Sequence, residues 1–175
     1  YMAEPFYAQF TVKYEKGKSL YDIAKQFELV QNHIVDKKTG LVYQAWDESK
    51  EIAWADKETG TSPTIWGRGI GWYMVALVET LDYFPKSHPK HKVLVGYLNQ
   101  IAKNVNQFKS ENGLWYQVAD KPELYGNYEE PSASGMIIYA FAKGANKGYL
   151  ASSYKTAAKK SFDSFVKEFV KVDKK

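Results

Sequence analysis

The residues best suited to chemistry lie in TIWGRGIGW, positions 64–72, where Trp66, Arg68 and Trp72 project from a run with glycines at 67, 69 and 71. Such glycines let a backbone pass close to a ligand and enter a helix start. A guanidinium between two of them can meet an anion through paired hydrogen bonds. Of 24 basic residues only Arg68 is arginine. Lysine therefore supplies the routine positive charge, and position 68 is distinguished by a planar fork that lysine cannot imitate. Chance placement of one rare residue is the plainer alternative. A sugar acid, with ring faces for tryptophan and a carboxylate for the guanidinium, fits this combination better than phosphate.

A second signal is a repeat. GLVYQAWD at 40–47 returns as GLWYQVAD at 113–120, matching at Gly, Leu, Tyr, Gln and Asp. Each copy follows an amphipathic stretch and precedes, after a polar loop, an apolar stretch rich in small residues. Long loops in a compact domain are usually functional. Those at 37–68 and 110–131 bring together Tyr43, Gln44, Trp46, Asp47, Trp54, Trp66, Arg68, Trp72, Trp115, Tyr116, Gln117, Glu129 and Glu130, a set that contains all five tryptophans. Flat rings cover sugar faces while amides and carboxylates bond hydroxyls. The candidate substrate-binding residues are therefore Trp66, Arg68, Trp72, Gln44, Trp46 and Gln117. Structural readings compete for several neighbours: Trp54 and Trp115 as loop anchors, one of Glu129 and Glu130 as a helix cap, Asp47 and Asp120 as turn formers.

The elements that must position these groups are helices. Apolar spacing predicts helices over 2–16 (Phe6, Phe10, Val12, Tyr14), over 19–36 with Ser19 and Asp22 as a capping box (Ile23, Phe27, Val30, Ile34), and over 90–109 (Val93, Tyr97, Ile101, Val105, Phe108). A helix over 151–171 carries Phe162, Phe165 and Phe169 on one side. Residues 69–84 and 132–144 read as helices apolar nearly all round, ended by Pro85 and Gly144, and so buried on most sides. The expected class is all-α, with one domain over 1–175. Alternating buried and amphipathic helices recurring with the octapeptide form a repeat architecture that stacks as a solenoid or closes as a toroid. Its long loops lie on one end, and its short connections near 16–19 and 85–89 on the other.

Composition narrows the partners. With 45% hydrophobic and 16% aromatic residues the chain can build a sizeable core. No run has the apolar length of a membrane span. The net charge of +4 is scattered lysine without a nucleic-acid motif. Cysteine is absent, and His33, His88 and His91 have no acidic partner at metal-binding spacing. No nucleic acid, membrane or metal partner is therefore expected.

YMAEPF at the start, GLVYQAWDES, WADKETG, WGRGIGWYMVALVETLDYFP and GLWYQVADKPELYGNYEEPSASGMIIYAFAKG together resemble the unsaturated rhamnogalacturonyl hydrolases and the related unsaturated glucuronyl hydrolases, glycoside hydrolase families 105 and 88. The resemblance implies an (α/α)6 barrel, of which six helices would be about the C-terminal half. It implies an oligosaccharide substrate with a 4,5-unsaturated uronic acid at its non-reducing end. The implied reaction hydrates the double bond: a carboxylic acid protonates C4, water adds at C5, and the hemiketal opens. No cofactor takes part. This differs from the usual two-carboxylate glycosidase. The family's proton-donating aspartate would lie before Tyr1, so no catalytic acid is assigned in this chain, and the N-terminal half of the barrel is the expected partner. Gln44 stands where relatives often carry histidine. The compartment, cytoplasmic or periplasmic, is left open. Two other readings are a non-catalytic carbohydrate-binding α-toroid and a polysaccharide lyase. The lyase needs a Tyr/His or Arg constellation, for which the loop assignment leaves His33 at the wrong end of its helix.

Overall fold

The computed structural model describes residues 1–172. It contains α1 (Glu4–Tyr14), α2 (Leu20–His33), α3 (Gly67–Leu81), α4 (His91–Val105), α5 (Pro131–Asn146) and α6 (Ser153–Phe169), with a 3-10 turn, Asn106–Phe108, continuing α4. Among the described residues, pairing between extended segments is limited to isolated bridges, Val35 with Val42, Trp46 with Thr61, Trp66 with Val118 and Tyr116 with Glu129. The class is all-α, as the periodicity predicts.

The helices form two layers. α1, α3 and α5 pack side by side; α2 lies on α1, α4 on α3 and α6 on α5. Within the first of these layers α3 and α5 are the two stretches apolar nearly all round, and they bury Ile70, Tyr73, Met74 and Leu77 of α3 with Ile137 and Phe141 of α5. α3 and α5 approach closely because position 71 has no side chain: a Cβ on Gly71 would lie 2.9 Å from Met136 Cβ. The Tyr73 hydroxyl in this core accepts from Gln31 Nε2 at 2.6 Å, so its polarity is satisfied. Burial pushes that phenol well above its ordinary pKa.

Several sequence expectations change. α1 turns Glu4, Ala8 and Thr11 inward, while Phe6 (71% exposed), Phe10, Val12 and Tyr14 (66%) face outward. At the end of its layer α1 packs mainly on α3 and α2, and its aromatic stripe lies exposed. Phe6 stacks on Phe10, and the Phe10 and Tyr14 rings meet at a tilt, with centroids 6.3 and 5.3 Å apart. On α4 the buried side is Leu94, Leu98, Ile101, Ala102 and Val105 rather than the stripe through Val93 and Tyr97, and on α6 Phe162 points to solvent. Gly144 does not stop α5, since Leu150 folds back to within 2.8 Å of where its Cβ would be; the left-handed residue after the helix is Gly148. Ser19 precedes α2 but donates to Glu15 rather than capping.

Candidate functional site

Both octapeptides sit at one end of the helix layers, where α2 and α4 finish and α3 and α5 begin. Their first residue must be glycine: Gly40 and Gly113 have φ of 68° and 80°, a region L side chains avoid. Each glycine carbonyl is held by the next outer helix. Asn104 of α4 donates to Gly40 O at 2.9 Å and Ser161 of α6 to Gly113 O at 2.7 Å. The following Leu41 and Leu114 are fully buried. A serine hydroxyl then accepts from the backbone, Ser62 from Gln44 N and Ser134 from Trp115 N. The repeat is thus one anchoring device used twice.

The second octapeptide also carries the start of α3. Gly67 N donates to Gln117 O at 2.8 Å and Ala119 N to Ile65 O at 2.9 Å. A Cβ on Gly67 would fall 2.5 Å from Tyr116 O, so this glycine serves close protein packing, as Gly71 does, rather than a ligand. Of the three, Gly69 alone would take a Cβ at ordinary contact distance, 3.7 Å from Gln44 Cα. It lines a cavity of about 430 Å³ with Gln44, Trp66, Trp72, Tyr1, Met2 and Ala3, a volume within the range of small-molecule sites. Trp72 projects into solvent at 42% exposure, and Gln44 is exposed too.

Arg68 adjoins this cavity through Trp66. Its guanidinium carbon lies 4.5 Å from the Trp66 ring centre, a cation–π stack. Nη1 is 3.8 Å from Glu130 Oε1, beyond hydrogen-bond distance. Nε of Arg68 and Oε1 of Gln117 are buried without protein partners. Glu130 is the N-cap of α5: its carboxylate accepts from Ser132 N at 3.2 Å and Ala133 N at 2.6 Å. Glu129 instead accepts from Asn112. One of the two acids caps the helix, as expected.

The other predicted residues separate from this group. Trp46 stacks on His33 at 3.8 Å and donates Nε1 to Thr59 O at 3.0 Å, in a different cavity of about 570 Å³ that includes Asp36, Tyr43 and Asp56. His33 therefore stands at the loop end of α2, not the opposite end. Trp115 is fully buried and donates to Val105 O, a loop anchor; Trp54 is 41% exposed and is not one. Asp47 shapes a turn by accepting from Ser49 N and Ile52 N. Sequence reasoning missed Tyr1, Met2 and Ala3 as cavity walls. Tyr1 donates to Gly69 O at 3.3 Å and sets its ring edge against Tyr73, a long-range contact that local spacing does not signal. Among the described residues no group of three or more His, Asp or Glu could hold a metal ion, and no helix is long and apolar enough to cross a membrane.

The sequence and fold recur in known proteins. The chain is 32% identical over 157 residues to Protein Atu3128 of Agrobacterium fabrum, covering 90% of this chain and 66% of that protein. It is 29% identical over 119 residues to the unsaturated rhamnogalacturonyl hydrolase YesR of Bacillus subtilis, covering 68% of this chain and 32% of YesR. A family 105 glycoside hydrolase structure from C. acetobutylicum superposes with a TM-score of 0.95 at 40% identity, over 98% of this chain and 48% of that one. The chain thus spans about half the length of that solved relative. Glycosyl Hydrolase Family 88 matches residues 1–175 throughout, and with a fold and sequence so shared, this chain belongs to that family.

Proposed function

We propose that this chain supplies the substrate-binding wall of a glycoside hydrolase acting on oligosaccharides that end in a 4,5-unsaturated uronic acid, of rhamnogalacturonan type. The observation that carries the reading is the joining of Trp66, Trp72 and Gln44 around one cavity with Arg68 stacked on the Trp66 ring. Trp72 offers an exposed ring to a sugar face, Gln44 an amide to a hydroxyl, and Arg68 a cation to the uronate carboxylate. Trp46, in the neighbouring cavity, ties down the 47–60 loop through Thr59 O.

In this reading the reaction is hydration of the double bond, with the proton at C4 delivered by an aspartate ahead of Tyr1. Tyr1 to Ala3 line the cavity, so a residue just upstream would arrive beside the bound sugar. The chain covers about the C-terminal half of an (α/α)6 barrel. The uncovered aromatic stripe of α1, with Met2 also exposed, supports this, because an apolar face of that kind is usually packed against another element.

Loss of the ultraviolet absorbance of the unsaturated uronyl group follows the reaction. The intact gene product should remove it, and residues 1–175 alone should not. Robust turnover by the isolated piece would overturn placement of the acid outside it. Oligosaccharide binding without turnover by the intact protein would favour the non-catalytic toroid.

A further inference from the structure

We infer that Glu130 is a positioning residue that aims Arg68 at the ligand carboxylate without neutralising it. The inference rests on the uronate reading of the cavity. A carboxylate beside a substrate-binding guanidinium ordinarily competes with the substrate. Here three features prevent that. Both Glu130 oxygens are already engaged, accepting from Ser132 N, Ser132 Oγ and Ala133 N. Their charge faces the N-terminus of α5, a 16-residue helix whose first amides favour an anion. The nearest guanidinium nitrogen stays 3.8 Å away, close enough for attraction but too far for a hydrogen bond.

The fork is thus held on two sides. Trp66 supports its flat face at 4.5 Å, and Glu130, itself buried and locked by the helix it caps, draws one edge toward the protein. The Arg68 side chain remains 38% exposed, which leaves its other edge for a ligand. One acid thereby couples the start of α5 to the orientation of a side chain on the first turn of α3.

The test compares an unsaturated uronyl disaccharide with its methyl ester through the KM of each with the intact gene product. The natural protein should prefer the acid by about tenfold or more, the scale of one charge-assisted pair. Glu130→Gln should cut that preference to about threefold or less. Glu130→Asp keeps the charge and a good N-cap acceptor but withdraws the carboxylate from Arg68, and its preference should fall between the two. A role confined to capping α5 would shift both ligands together and leave the ratio unchanged. In an Arg68→Gln background the Glu130→Gln change should no longer alter the ratio. An unchanged ratio in both Glu130 variants, or an effect that survives without Arg68, overturns the inference. Equal KM values for acid and ester with the natural protein instead overturn the uronate reading beneath it.

Discussion

Gln44 and Gln117 occupy the same place in the two octapeptides, yet Gln44 stands exposed on a cavity wall while the side-chain oxygen of Gln117 is buried without a partner. Asp47 and Asp120 diverge likewise: one organises a turn through Ser49 and Ile52, the other has a buried oxygen with no partner. The glycine and leucine at the head of each copy behave alike. The shared residues therefore fix how the segment is tied down, and the neighbours decide what it presents. The first copy runs under an open loop. The second is threaded between residues 65–67 and 128–130, and so becomes a strut beneath the starts of α3 and α5.

The sharpest way to break this contrast is to truncate the tryptophan of each copy. Trp115→Ala removes a fully buried ring that also bonds Val105 O, and should cost about 3–5 kcal/mol in urea denaturation. Trp46→Ala removes a partly exposed ring and should cost only about 1–2 kcal/mol. Equal losses would mean that the second copy is no more structural than the first.

The leading glycines look interchangeable in sequence and are not in space. A Cβ on Gly40 would lie 2.0 Å from Asn104 Nδ2, whereas on Gly113 the nearest atom is Ser161 Oγ at 3.7 Å. Gly40→Ala should cost about 2–3 kcal/mol, combining left-handed strain with a disturbed hydrogen bond, and Gly113→Ala about 1–2 kcal/mol from strain alone. Thermal unfolding of the pair measures the difference.

Acid should loosen the first copy's loop before it reaches the second copy. Bonds from the Ile52 amide hold the Asp47 carboxyl below its ordinary pKa, and bonds from Thr59 do the same for Asp56. Because both folded values lie below the unfolded ones, their stabilisation is complete above the ordinary carboxylate pKa and is lost as pH falls through and below it. Hydrogen exchange of amides 47–61 should therefore quicken on acidification while amides 114–119 stay protected. Simultaneous exposure of both segments would contradict this. The smallest expected effect is Gln44→Leu, which should leave stability within about 0.5 kcal/mol while weakening saccharide binding at the cavity.

Much of this was legible from residue order. The six helices follow from apolar periodicity, and the twin octapeptides announce two equivalent loops at one end. Trp66, Trp72 and Gln44 line one cavity, and Arg68 stacks on the Trp66 ring. The inward face of α1 was not legible, because Phe6, Phe10 and Tyr14 make a stripe that any buried helix could carry. Nor was the division of labour among the glycines of 67–71, two of which make room for protein rather than for ligand. Trp46 illustrates the same limit: its proximity in sequence to Gln44 hides a side chain that points into a neighbouring cavity.

Residue order by itself determined which segments coil, where they stop within a few residues, and which chemical groups gather at one end, since these depend on interactions within a turn or two of chain. Only the tertiary structure decided which faces are covered, which of two identical glutamines opens onto a cavity, and that Glu130 stands beside Arg68 across 61 intervening positions. Those outcomes depend on what lies across from each side chain, and a contact between distant segments leaves no periodic trace in either of them.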